Sequence, residues 1–346
     1  MAGMTRRERV QRAMHFKTVD KAPVRYYYCP VGYYEHGDKL NDLYATLPGD
    51  FEPFRRMPIV GPAKEEYDAD GRYHAFKTDE WGVKWEYRIF GVAGIPLRHP
   101  ITTPEEAEVY HTPPHVLCEG AEFDAFIKEV EVQKAQDYPV MLNGGKLYEQ
   151  MIALYGDENV LCDMAMEEAG INKLADRITE YNEALIRRAV KAGADAICFG
   201  DDYGTERSLL MSPEMWRAFF KPRLKRMFRE AVDSGLDIHF HSCGQVWEIL
   251  PDLKEIGVTS IWPQLPAYNM QALADRCREL QLAVEIHTDR ANTMTYGTPQ
   301  QVRDLVRREF DTFKMMDGGS WFYVEADNDF PFANLEALVN TIAEYR

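Results

Sequence analysis

The stretch Asp237-Ile-His-Phe-His-Ser-Cys-Gly244 decides the reading of this chain. It follows Asp233-Ser-Gly235, a helix stop and turn, and precedes Gln245-Val-Trp-Glu-Ile-Leu250, which opens a helical pattern. A short apolar-rich run between two helices reads as a strand, and strand side chains alternate between two faces. His239, His241 and Cys243 therefore share one face, and Ile238, Phe240 and Ser242 share the other. The His-x-Cys pair falls at the carboxyl end of the strand, where α/β folds carry their chemistry. A neutral imidazole and a thiolate so spaced can share a zinc ion. Taken alone, the pair also fits a buried cysteine beside a hydrogen-bonded histidine.

Working outward, the same punctuation repeats. Strand patterns over residues 138–143, 194–200, 237–243, 258–264, 282–289 and 320–326 are separated by helical patterns, among them 213–234, 245–256, 269–280 and 299–317. Residues 24–29 add a seventh strand, and the chain has room for an eighth. Strands alternating with helices imply parallel pairing through right-handed crossovers. The expected fold is therefore α/β, a (β/α)8 TIM barrel spanning residues 1–346 as one domain. No Gly-x-Gly-x-x-Gly follows the first strand, so the dinucleotide-binding fingerprint is absent. Thr5 caps an opening helix that runs to about Phe16. Residues 30–115 are irregular, with a short helix near 38–46 and a strand-like stretch over 73–97. They are read as a β-rich insertion or cap near the N-terminus.

The chain has 346 residues, long enough for one large core, and a formal net charge of −16. That charge argues against nucleic acid or an anionic membrane as a partner. No apolar run approaches the ~20 residues that span a bilayer, and the basic start (Met1 to Arg9) leads into an amphipathic helix instead of a secretory signal. Six cysteines lie scattered without framework spacing, as expected of a reduced cytoplasmic protein.

In a barrel the site is built from strand carboxyl ends and the loops after them. In chain order these ends supply Tyr26, Tyr28 and Cys29, then Asn143, Asp201-Asp-Tyr203, His241 and Cys243, Trp262 and Gln264, His287 and Asp289, and Glu325 and Asp327. Glu325 is the expected third metal ligand, with Asp289, Asp327 and His287 as rivals. His241, Cys243 and Glu325 would leave a fourth zinc position open, as catalytic sites do. Of the adjacent Asp201 and Asp202, only one can face the pocket, and Asp202 is chosen. Its neighbour would hold the loop carrying Tyr203-Gly-Thr205. Tyr26, Asn143, Tyr203, Trp262 and Gln264 are the substrate-lining candidates.

These residues carry a family likeness. Gly200-Asp-Asp-Tyr-Gly-Thr-Glu206, Ser212-Pro-Glu-Met-Trp216, Lys221-Pro-Arg-Leu224 and His241-Ser-Cys-Gly244 resemble the uroporphyrinogen decarboxylase-like superfamily. Glu248-Ile-Leu-Pro-Asp-Leu-Lys-Glu-Ile-Gly257, Gly297-Thr-Pro299 and Gly318-Gly319 resemble it too. The likeness is close over the last half of the chain and thinner over Asp79-Glu-Trp-Gly-Val-Lys-Trp85. It implies a (β/α)8 barrel with one of two activities, cofactor-free decarboxylation or zinc-dependent methyl transfer involving a corrinoid protein. The decarboxylases carry an arginine-rich segment after the first strand, where this chain reads Tyr26-Tyr-Tyr-Cys-Pro-Val-Gly-Tyr-Tyr34. The methyltransferases match at His-x-Cys-Gly, which implies His241 and Cys243 as zinc ligands. The second cysteine of the coenzyme M enzymes is missing, and Glu325 stands in its region. A harder His/Cys/Glu set suits polarising an oxygen. The resemblance thus implies transfer of a methyl group from a small methylated substrate, such as a methoxylated aromatic, to a corrinoid protein. Asp202 or Tyr28 would orient the substrate or protonate the departing oxygen. No Asp-x-His-x-x-Gly corrinoid-binding motif is present, so cobalamin would arrive on a separate protein partner. A homodimer is compatible with this reading.

Overall fold

The computed structural model describes residues 3–114 and 118–346. The first two residues of the basic start and residue 115, the last of the expected insertion, lie outside the described residues. Among the described residues ten strands form: β1 (Val24–Tyr27), β2 (Ala75–Thr78), β3 (Lys84–Tyr87), β4 (Ile95–Arg98), β5 (Met141–Gly145), β6 (Ala196–Gly200), β7 (Asp237–Ser242), β8 (Ser260–Pro263), β9 (Ala283–His287) and β10 (Ser320–Glu325). Seven of them make one parallel sheet in the order β1-β10-β9-β8-β7-β6-β5. The first strand lies beside the last, Val24 opposite Phe322 and Tyr27 opposite Glu325. A sequentially wound open sheet would keep these strands at opposite edges, so the sheet curls in the manner of a TIM barrel.

The expected eighth strand does not form among the described residues, and β5 and β1 remain the sheet's two edges. The chain between them enters the helices Pro30–His36 and Asp38–Thr46 and then the antiparallel sheet β2-β3-β4. Residues 48–72 are rich in Pro, Gly and charge, and they offer no alternating apolar pattern for a parallel strand.

Along β7, Ile238 and Phe240 pack outward, Phe240 stacking on Phe199 and Tyr203. His239 and His241 face inward. At the lower level of the interior, buried Glu285 accepts from Arg25 (3.3 Å), His239 Nε2 (3.1 Å) and the Trp321 indole N–H (2.7 Å). Burial alone would raise the Glu285 carboxyl, but the Arg25 and His239 charges outweigh it and hold it well below the usual range. The helix Arg6–Met14, capped by Thr5, closes the base: Val10, Ala13 and Met14 pack with Phe51, Ala283 and Trp321. This plug of charge and indole forms the floor beneath the upper layer of His241, Trp262, His287 and Tyr323.

Candidate active site

A cavity of ≈ 520 Å³ opens at the carboxyl ends of the strands, lined by His241, Cys243, Trp262, Gln264, His287 and Arg290 among others. One ligand atom each from Asp202, His241 and Cys243 lies within 4.8 Å of the others, and the latter two line the cavity. His241 Nε2 stands 3.5 Å from Cys243 Sγ and 3.5 Å from Asp202 Oδ1. His241 Nδ1 lies 2.8 Å from the Trp262 carbonyl oxygen, so Nδ1 donates and Nε2 keeps its lone pair toward the cluster. Burial pulls the imidazole below its ordinary value and keeps it neutral. Burial and then the Asp202 carboxylate push the Cys243 thiol up to about 12.

The local fold brings Asp202 there. Residues 201–205 run beside 241–245 as an extension of the β6–β7 pairing. The Asp201 N–H donates to the His241 carbonyl, the Tyr203 N–H to Ser242 Oγ, and the Gln245 N–H to the Thr205 carbonyl. Gly204 and Gly244 meet backbone to backbone, and a Cβ on either would overlap the other segment; Gly244 also has φ +69°. The Cys243 N–H then donates to Asp202 Oδ1 at 2.7 Å. Asp201 turns the opposite way and is fully buried, accepting the N–H groups of Leu147, Tyr148 and Glu149 at 3.0 Å each. It thus secures the start of the helix Tyr148–Tyr155.

Glu325 is not in this cluster. Its Oε1 lies 3.0 Å from His287 Nε2 and 3.4 Å from Arg290, and Tyr323 OH donates to its Oε2 at 3.2 Å. Trp262 stands between the two groups, its ring 4.2 Å from that of His241 and 5.8 Å from that of His287. The structure therefore replaces Glu325 by Asp202 as the carboxylate nearest the His-x-Cys pair. Trp262 and Gln264 do line the cavity, with Gln264 Oε1 accepting from the Gly244 N–H. Asn143 shares the inward face of β5 with Met141, opposite Cys198, and is exposed.

Three expected residues sit elsewhere. Tyr26 points into the outer layer, donating to the Leu47 carbonyl and packing on Tyr44, because Arg25 and Tyr27 take the inward face of β1. Tyr28 lies beyond the end of β1, stacked on Tyr33. Tyr203 is wholly buried between Tyr148 and Phe240, donating to Asp201. Sequence reasoning missed Glu149, whose carboxyl is raised to about 7, first by burial and then by the Asp202 charge. It stands in the first turn of the helix that follows β5, not at a strand end.

The model of the uroporphyrinogen decarboxylase (URO-D) family matches residues 93–345. The chain belongs to the URO-D family. A methyltransferase from Methanosarcina mazei superposes on this family member with a TM-score of 0.69 at 17% identity, covering 99% of both chains. A dihydropteroate synthase from Xanthomonas albilineans matches 54% of this chain and 61% of its own, at 13% identity and a TM-score of 0.35. No curated protein matches by sequence. At these identities the methyltransferase shares the fold, end to end. No described helix is long and apolar enough to cross a membrane.

Proposed function

We propose that this URO-D family member is a zinc-dependent methyltransferase that moves a methyl group from a small methylated substrate, of the methoxylated aromatic class, to a corrinoid protein. The observation that carries the reading is the convergence of Asp202, His241 and Cys243 on one point at the edge of the cavity. The donor set fits the ion: an imidazole lone pair, a thiol and a carboxylate, three protein ligands with room for a substrate atom. When bound there, zinc supplies Lewis-acid polarisation of a ligand oxygen.

The chain's own residues do the rest. Trp262 gives a flat wall beside His241 for an aromatic ring. Asp202 fixes the Cys243 backbone, and the His241–Trp262 hydrogen bond fixes the ring that faces the substrate. The carboxyl of Glu149, raised to about 7 by burial and then by the Asp202 charge, joins Asp202 and Tyr28 as a candidate to protonate the departing oxygen. The decarboxylase alternative suits the cavity less well, because one of its two arginines, Arg290, is already paired with Glu325 and Asp327.

In the same reading the chain is one barrel domain with residues 30–115 as its cap. It works in the cytoplasm, singly or as a homodimer, and meets the corrinoid protein at the cavity mouth. The test is demethylation of a panel of methoxylated aromatics by the zinc-loaded protein with a reduced corrinoid protein, followed by the cobalt absorption spectrum. Methylated cobalt that depends on the aromatic supports the proposal. An unchanged spectrum across the panel and across several corrinoid proteins contradicts it.

A further inference from the structure

The cavity has a second polar end that the zinc cluster does not use. Beyond Trp262, His287 closes β9 and lines the cavity, with its ring edge-on to Tyr323 at 4.8 Å. Its Nε2 faces Glu325 Oε1 at 3.0 Å. Glu325 is buried and anchored in turn by Tyr323 OH and Arg290. Such a carboxylate fixes the ring's orientation and its tautomer, since the nitrogen that faces it carries the proton. Nδ1 has no hydrogen-bond partner among the described residues and is left to a ligand.

A flat ligand laid along Trp262 therefore meets two chemistries. One end reaches the Asp202, His241 and Cys243 group, and the other reaches a ring nitrogen held in place by a buried carboxylate. We propose that His287, positioned by Glu325, is a substrate-positioning residue whose Nδ1 hydrogen-bonds to a hydroxyl on the ring that carries the methoxyl group. The substrate class is then a methoxyphenol, not a simple aryl methyl ether. This rests on the methyltransferase reading above for the methoxyl end only.

The experiment is calorimetric binding of methoxybenzene and the 2-, 3- and 4-methoxyphenols to the zinc-loaded full-length protein and to two variants. In the wild-type protein at least one methoxyphenol should bind about tenfold more tightly than methoxybenzene, the effect of one well-placed hydrogen bond. His287→Ala should bind all four compounds alike, at the methoxybenzene level. His287→Asn places an amide oxygen near the position of Nδ1 and should keep part of the difference. Equal binding of all four by the wild-type protein overturns the inference, as does a hydroxyl preference that survives His287→Ala. If methoxybenzene binds and is demethylated but a hydroxyl adds nothing, this inference alone fails. If none of the four binds, the inference and the aryl ether substrate class fail together.

Discussion

Capture of zinc by Asp202, His241 and Cys243 should release about one proton per ion at neutral pH. The count follows from the site. Burial and the adjacent Asp202 carboxylate push the Cys243 thiol up to about 12, so the sulfur carries a proton at neutral pH and must lose it to bind. Burial pulls His241 below its ordinary 6.5, so its Nε2 is already deprotonated and adds nothing to the count. Apparent affinity should then rise about tenfold per pH unit from about pH 7 to about pH 9, since one proton competes with the metal. The slope stays near one until the pH falls below the depressed His241 value, where a second proton begins to compete. Titration calorimetry in buffers of different ionisation enthalpy reads the proton count directly. Cys243→Ala should release essentially none. A flat affinity across this range, or no proton release from the wild-type protein, would refute the reasoning.

Two further predictions concern buried carboxylates. Glu285→Ala strands the Arg25 guanidinium and the Trp321 N–H. Because the Arg25 side chain keeps 25% exposure, the loss should lie at the lower end of the range for a broken buried pair, about 3 kcal/mol. Denaturant unfolding measures it, and a loss below about 1 kcal/mol speaks against the plug as a stabilising unit. Glu309 is fully buried, with Oε2 on the Thr288 hydroxyl and Oε1 unpartnered, and burial raises its carboxyl to about 8. The folded state therefore binds this proton more tightly than the unfolded chain does, and stability falls as pH rises from about 4.5 to about 8. Glu309→Gln should flatten that part of the stability–pH profile, and an unchanged slope would assign it to other groups.

The seven parallel strands were legible because each is a short apolar run between helix signals, and the hydrophobic pattern specifies register strongly in such runs. β1 shows the limit. Val24-Arg-Tyr-Tyr-Tyr28 has no apolar alternation to reveal which side faces in, and the structure turns Arg25 and Tyr27 inward where Tyr26 and Tyr28 were expected. Tyr203 misled for a similar reason, since a tyrosine after a strand end looks the same whether it enters the cavity or the core. Asp202 and Glu325 differ in position around the rim. Asp202 follows β6, the immediate neighbour of β7, whereas Glu325 ends β10, three strands away. Three strand steps separate β10 from β7, and Trp262 on β8 stands between the two groups. Residue type and a place at the end of the last strand favoured Glu325, and strand order favours Asp202. Glu149 became visible only through its surroundings, because nothing in its residue type signals a raised carboxyl.

The central claim is most directly tested by the zinc content of the purified protein beside Cys243→Ala, Asp202→Ala and Glu325→Ala. The account predicts about one zinc per chain in the wild-type protein and in Glu325→Ala, with loss in the other two. Zinc retained by Asp202→Ala but lost from Glu325→Ala would contradict the assembled cluster. A wild-type protein that takes up no zinc even when supplied with it would contradict the metal site altogether.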